Sequence, residues 1–273
     1  GCRQTPRGGM PLLCGITLAM RSPLACILFT LACSCASGAP AGERSPERPQ
    51  STRALFVGNS FTFWNGGLRR QLEALSEGCA PPLGYTADCV VRGGAPLEMM
   101  WRRSRAPARI ADGGWDVVVL QGDIPEATVA SFRQYAAKFV GAARKVGARP
   151  ILFMAWAYDR LDWISFDEIL AAHRDVAAEL KVEVAPVGLA WQNAQAERPD
   201  LDMYSRDREH PSAAGSYLAL MVIESTISGL PPVAHDPDEV RLPGLERLER
   251  EDATFRQGVA ARTIAEWRGG APR

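Results

Sequence analysis

Ala54-Leu55-Phe56-Val57-Gly58-Asn59-Ser60-Phe61-Thr62 decides how this chain is read: four apolar residues run uninterrupted into a glycine and a serine, then into a polar turn. A short apolar run bounded by turn residues fits a parallel strand covered on both faces. Open sheets of that kind place their sites outside the carboxyl ends of their strands. Gly58 permits a sharp exit from the strand. Ser60 then stands near the start of the following helix, where free backbone N–H groups stabilise an anion. A serine in this place is also a common helix cap, so a nucleophile needs a base elsewhere in the chain.

Downstream, the pattern alternates. Leu68, Leu72 and Leu75 recur at helical spacing, and Gly78 with Pro81-Pro82 stops that helix. A strand follows near Tyr85 to Val91, and Gly93-Gly94 turns the chain into a helix over Leu97 to Arg103. Asp116 to Leu120 is the clearest buried strand, with Gln121-Gly122-Asp123 as the turn after it. Val129, Phe132, Ala136, Phe139, Val140 and Ala143 line one helical face, and Ile151 to Ala157 forms the next strand. Phe166 to Leu180 is amphipathic, Val184 to Val187 is a short strand, and Ser212 to Ser228 is a helix. A charged amphipathic helix using Leu245, Leu248, Phe255, Val259, Ile264 and Trp267 closes the chain. Such alternation implies an α/β domain, a parallel sheet with helices on both faces.

With 273 residues, 47% of them hydrophobic, the chain can bury one substantial core. Lys and Arg (31) balance Asp and Glu (31), so no net field favours nucleic acid or an anionic membrane surface. The expected partner is a small molecule or a neutral polymer. Two cysteines outside the N-terminal segment and three scattered histidines make no ligand set, so neither metal nor cofactor is expected.

Met20-Arg21 precedes the apolar run Pro23 to Cys33, which ends in small residues; this is the grammar of a signal peptide. Residues 1–36 are read as that signal, with a possible non-native extension before Met20. Residues 37–52, rich in Pro, Gly, Ser and charge, are read as a flexible linker. Leu31-Ala32-Cys33 also resembles a bacterial lipoprotein processing site, which makes Cys33 a candidate for lipidation and a lipid anchor the expected membrane contact. The expected destination is the bacterial periplasm, the cell surface or the medium. In an exported domain, Cys79 and Cys89 are expected to form one disulfide across the Pro81-Pro82-Leu83-Gly84 turn, worth about 3 kcal/mol in the chain-entropy model.

The base is sought among His173, His210 and His235. His173 lies on the apolar face between Ile169 and Val176 and reads as a core residue. His235, in a Pro/Asp-rich loop, reads as solvated. His210 lies in a polar loop immediately before a helix, and Asp207, three residues earlier, can turn back to accept from one ring nitrogen.

Gly58-Asn59-Ser60 and Asp207-x-x-His210 resemble the first and last blocks of the SGNH or GDSL hydrolase superfamily. Gly93-Gly94-Ala95-Pro96-Leu97-Glu98, Trp115 to Gln121, and His210-Pro211-Ser212-x-x-Gly215-x-Tyr217-Leu218 are similar to one bacterial branch of it. The resemblance implies a flavodoxin-like three-layer α/β/α sandwich over residues 53–232, with a sheet of about five strands and residues 233–273 as a C-terminal extension. It implies hydrolysis of esters or acyl groups, frequently on carbohydrates, with Ser60 as nucleophile, His210 as base and Asp207 fixing its tautomer. The oxyanion hole would combine the Ser60 N–H, the Gly94 N–H and a side-chain amide from the third block. That block usually reads Gly-x-Asn-Asp; here Gln121-Gly122-Asp123 offers the Gln121 amide instead. The competing expectation is a non-catalytic glycan-binding protein on the same fold, motivated by the altered third block and by Trp101, Trp156, Trp163 and Trp191.

Overall fold

Period-two burial sorts the side chains of the central strands onto two faces. Along β1 (Thr52–Gly58), Ala54 and Phe56 enter one core while Leu55 and Val57 enter another. β3 (Val117–Gly122) and β4 (Arg149–Met154) divide in the same way, Val117, Val119, Ile151 and Phe153 against Val118, Leu120, Leu152 and Met154. A strand buried on both sides cannot alternate polar with apolar, which is why these stretches read as continuous apolar runs. With β2 (Tyr85–Val91) and β5 (Glu183–Ala185) they form a parallel sheet in the order β2-β1-β3-β4-β5. This is the flavodoxin-like order, and its switch point falls between β1 and β3.

The computed structural model describes residues 51–270 other than 234, 236, 237, 239, 246 and 247. The expected leader, Cys33 and the linker up to residue 50 lie outside the described residues. β1 begins at Thr52, one residue inside the stretch read as linker. No helix of the described residues is long and apolar enough to cross a membrane.

Short α1 (Ser60–Phe63) follows β1 directly, and α2 (Leu68–Gly78) returns along one face to β2. α3 (Leu97–Arg103), α4 (Ala106–Ala111), α5 (Val129–Lys145) and α6 (Phe166–Leu180) cover the other face. α6 starts on a capping box in which Ser165 and Glu168 satisfy each other's backbone N–H groups, so the sequence marks its boundary sharply. α7 (Val187–Glu197), α8 (Ala213–Ser228) and α9 (Arg250–Gly269) complete the first face. α4 and α7 escaped the sequence reading: α4 spans only six residues, and α7 begins where the strand pattern of Val184 to Val187 seemed to continue.

Every residue of α8 from Gly215 to Ile227 is buried. A helix apolar all round needs cover on both sides. The sheet supplies one side, and α9 packs Ala253, Val259, Ala260 and Ile264 into the same core. The segment after residue 232 therefore completes the core. Leu245 and Leu248 precede α9, which starts at Arg250.

The expected disulfide is not formed. Cys79 caps the C-terminal end of α2, whereas the Cys89 thiol, four residues into β2, lies against Arg69 near the start of α2. Ten residues of helix separate those two levels, about 15 Å at 1.5 Å per residue, far beyond the roughly 7 Å limit for bridging Cα atoms. A helix and the strand it leads into run antiparallel, so a short loop between two cysteines does not make them neighbours. Burial pushes the Cys89 thiol up from its ordinary value.

Candidate active site

The site is assembled at the carboxyl ends of β1, β2 and β3 and on the loop before α8. Asn59 caps α1, its Oδ1 accepting from Phe61 N at 3.0 Å, and Ser60 is the first residue of the helix, 9% exposed. Gln121 closes the floor beneath this corner. Its Oε1 accepts from Asn59 N (2.9 Å) and from Thr62 Oγ1 (2.8 Å). A backbone N–H can only donate, so these bonds orient the amide and leave Gln121 Nε2, a buried donor, without a partner. Gly58 permits the closeness: a Cβ there would stand 2.7 Å from Gln121 Oε1 and 2.8 Å from Gln121 Cβ.

The turn after β2 is tied alongside, with Arg92 N donating to Gly58 O at 3.1 Å and Ala95 N to Arg92 O. Gly94 occupies this turn at φ +61°, and a Cβ there would meet nothing. The glycine is required by the backbone conformation and not by space.

His210 arrives from the opposite side. Asp207 Oδ1 accepts from Glu209 N (3.0 Å) and His210 N (2.9 Å), and its Oδ2 accepts from His210 Nδ1 at 2.8 Å. Burial alone would raise the Asp207 carboxyl, but the His210 and Glu209 N–H groups and the imidazole outweigh it and hold it below the usual carboxylate value. With Nδ1 donating, Nε2 is left as the acceptor, and it is buried with no partner. The Ser60–His210 hydrogen bond itself is not formed. The ring is nonetheless held against the Ser60 turn: it stacks on Trp64 at 3.9 Å and 19°, and meets Phe61 edge-on at 5.6 Å. Trp64 Nε1 donates to Ser205 Oγ and Asn65 Nδ2 to Pro211 O, which clamps the histidine loop to the end of α1.

Thus Ser60, Gly94, Gln121, Asp207 and His210 lie at the carboxyl end of the sheet, on segments up to 150 residues apart in the chain. Asn59, Phe61, Thr62 and Trp64 belong to the same site and went unread as functional; their place inside the Gly-Asn-Ser-Phe-Thr wording was the available signal. Asp123 closes the third block. It is buried, 5% exposed, with Asn59 Nδ2 donating to its Oδ2, and burial followed by the charges of Glu126 and Glu209 pushes it up to about 7.

His173 is a core residue, its Nδ1 on Ile169 O at 2.8 Å, and burial lowers it to about 4. His235 is half-buried beside the Tyr217 ring, with its Nε2 3.3 Å from Tyr217 Oη, and so is not the solvated loop residue expected. Of the four tryptophans weighed as sugar platforms, Trp156 and Trp191 stack on each other in the core at 4.0 Å and 1°. Trp101 packs on Phe139, and Trp163 is 53% exposed. Among the described residues no group of three or more His, Cys, Asp or Glu is placed to hold a metal ion.

No protein-family model matches the chain, and no curated protein matches it in sequence. Its fold does match solved structures. A candidate SGNH hydrolase from Slackia heliotrinireducens is 28% identical, with a TM-score of 0.54 over 65% of this chain and 99% of that one. A protein from Bacteroides uniformis, of a domain family without assigned function, superposes with a TM-score of 0.60 at 18% identity, covering 79% of this chain and 95% of its own. A catalytic mutant of an acetylxylan esterase from Geobacillus stearothermophilus gives 0.57 at 15% identity, over 69% of this chain and all of that one. The likenesses at 18% and 15% speak to fold alone; the sheet order, the helix layers and the Slackia match together show that this chain has the fold of the SGNH/GDSL hydrolases it resembles.

Proposed function

We propose that this protein is a serine esterase that cleaves a small-molecule or carbohydrate ester, O-acetyl groups included, through Ser60, His210 and Asp207. The observation that carries the reading is the Asp207-oriented imidazole, its buried Nε2 unpartnered, stacked on the turn that carries Ser60. A serine hydroxyl is a weak nucleophile until a base takes its proton. In this reading Ser60 Oγ attacks the ester carbonyl as His210 Nε2 accepts the hydroxyl proton, and Asp207 stabilises the imidazolium and its tautomer. The negative tetrahedral oxygen faces the N–H groups of Ser60 and Gly94 and the free amide hydrogens of Gln121. His210 then gives its proton to the departing alcohol, and water releases the acyl group by the same steps in reverse.

A serine-reactive phosphonate tests the mechanism. It is expected to add its mass to the Ser60 peptide of the wild type and not to Ser60→Ala, with ester hydrolysis lost in Ser60→Ala and His210→Ala alike. Labelling elsewhere, or hydrolysis that survives Ser60→Ala, refutes it. Export is part of the proposal, and N-terminal sequencing of the protein from its native host checks for cleavage within residues 20–37.

A further inference from the structure

Asp123, the first residue after β3, is the carboxyl closest in connectivity to the Ser60 corner. Its Oδ2 accepts from Asn59 Nδ2, and its Oδ1 is buried with no hydrogen-bond partner. Asn59 cannot flip to relieve this arrangement, because its own Oδ1 is committed to Phe61 N at the start of α1. Asp123 therefore holds the residue that precedes the serine.

The surroundings do not favour a charge. From the loop after β3 comes Glu126; from the loop after β4, the Tyr158 phenol, whose hydroxyl donates to Glu126 at 3.1 Å; and from the histidine loop, Glu209. The cation of this group, Arg160, is divided between Glu126 (2.6 Å) and Glu209 (2.7 Å). The Asp207–His210 pair lies on the side facing Trp64. A buried carboxylate whose donors are Asn59 Nδ2 and the Glu126 backbone N–H, with no cation of its own and two acidic neighbours, is destabilised relative to the carboxylic acid: burial and the two like charges outweigh the two hydrogen bonds.

Resting on the serine-esterase reading above, we propose that Asp123 is a positioning residue that works only while protonated: the neutral carboxyl holds Asn59 in place, and its ionisation sets a negative charge behind the nucleophile's turn and switches the site off on the alkaline side. The tetrahedral oxygen is itself an anion. A second negative charge behind the turn, even at an effective dielectric of about 20, slows its formation by about 10-fold or more. Burial and acidic neighbours hold the Asp123 carboxyl at about 7, so the loss falls in the physiological range.

The test is the pH profile, from 5 to 10, of ester hydrolysis and of phosphonate labelling. The wild type is expected to show an alkaline limb centred near pH 7. In Asp123→Asn, a neutral amide of the same shape, the ratio of the rate at pH 9 to that at pH 6 rises at least 10-fold. A wild-type rate that stays flat to pH 9, or an alkaline limb that persists unchanged in Asp123→Asn, overturns the proposal. A merely structural role would change rate or melting temperature without changing the shape of the profile. Difference infrared spectroscopy of Ser60→Ala against Ser60→Ala/Asp123→Asn reads the proton without any turnover. A carboxylic-acid band that disappears near pH 7 supports the proposal, and one that disappears near pH 4 overturns it. A protein that hydrolyses no ester and takes no phosphonate, yet keeps that band to pH 7, marks the failure as one of the function and not of the proton.

Discussion

Replacing Gly58 by alanine probes the corner on which the whole site depends. The added Cβ would overlap Thr62 Oγ1 and stand 2.7 Å from Gln121 Oε1 and 2.8 Å from Gln121 Cβ. Thr62 can rotate away, but Gln121 Cβ is fixed to β3, so the ends of β1 and β3 must part or the glutamine amide must leave. Either response breaks the 2.9 Å bond from Asn59 N and the 2.8 Å bond from Thr62 Oγ1. Both groups are buried, and each left unsatisfied costs about 1–3 kcal/mol. Allowing for partial rescue of the threonine hydroxyl, the loss is about 2–4 kcal/mol. For a domain of this size that corresponds to a melting temperature lower by roughly 5–15 °C. Scanning calorimetry at pH 7 measures it, and phosphonate labelling of the folded variant should slow by at least about 10-fold because Asn59 and Ser60 move together. Thr62→Val in the Gly58→Ala background should cost less than Thr62→Val alone, since its bond is already broken. A Gly58→Ala protein that melts within a degree of the wild type and labels at the same rate would refute the claim that Gln121 braces the Ser60 turn.

Trp64→Ala removes the ring stacked on His210 and the donor to Ser205 Oγ; it should lower kcat by about 10-fold with a smaller effect on KM, read from steady-state ester hydrolysis. His173 is buried and lowered to about 4, so the folded state resists its protonation. The stability it contributes is present above pH 6.5 and lost as the pH falls toward 4. That loss is about 2 kcal/mol between pH 7 and pH 5, and urea midpoints of His173→Leu should show a correspondingly shallower acid decline. Asp123 has the opposite sign: with a folded value of about 7 against an ordinary 3.8, its contribution is present below pH 4 and lost as the pH rises through 7. Between pH 5 and pH 8 the wild type should lose about 3 kcal/mol that Asp123→Asn keeps, measured by the same urea midpoints.

Much of the fold was legible because burial on both faces leaves a strong trace in sequence. Ala54 to Val57, Val117 to Leu120 and Ile151 to Phe153 are apolar at every position, and the helices between them keep their 3.6-residue stripe. α7 hid behind a strand signal, and the role of α9 as the outer cover of α8 was invisible because α8 reads simply as a hydrophobic helix. The cysteines misled for a related reason: separation along the chain says nothing of distance once a helix runs back along a strand.

The sequence by itself determined which residues are the candidates for chemistry. Ser60 after an apolar strand and Asp207 three residues before His210 are local patterns, and local geometry alone lets an aspartate turn back onto its own loop's histidine at 2.8 Å. The meeting of those two loops, the burial of Asp123 and the commitment of Gln121 Oε1 to Asn59 and Thr62 were decided only by tertiary structure. Each of these depends on the order β2-β1-β3 bringing three strand ends together, and on the resulting exclusion of water. Whether a carboxyl holds its proton, or an amide has a donor to spare, is set by the groups packed around it, and those come from distant parts of the chain.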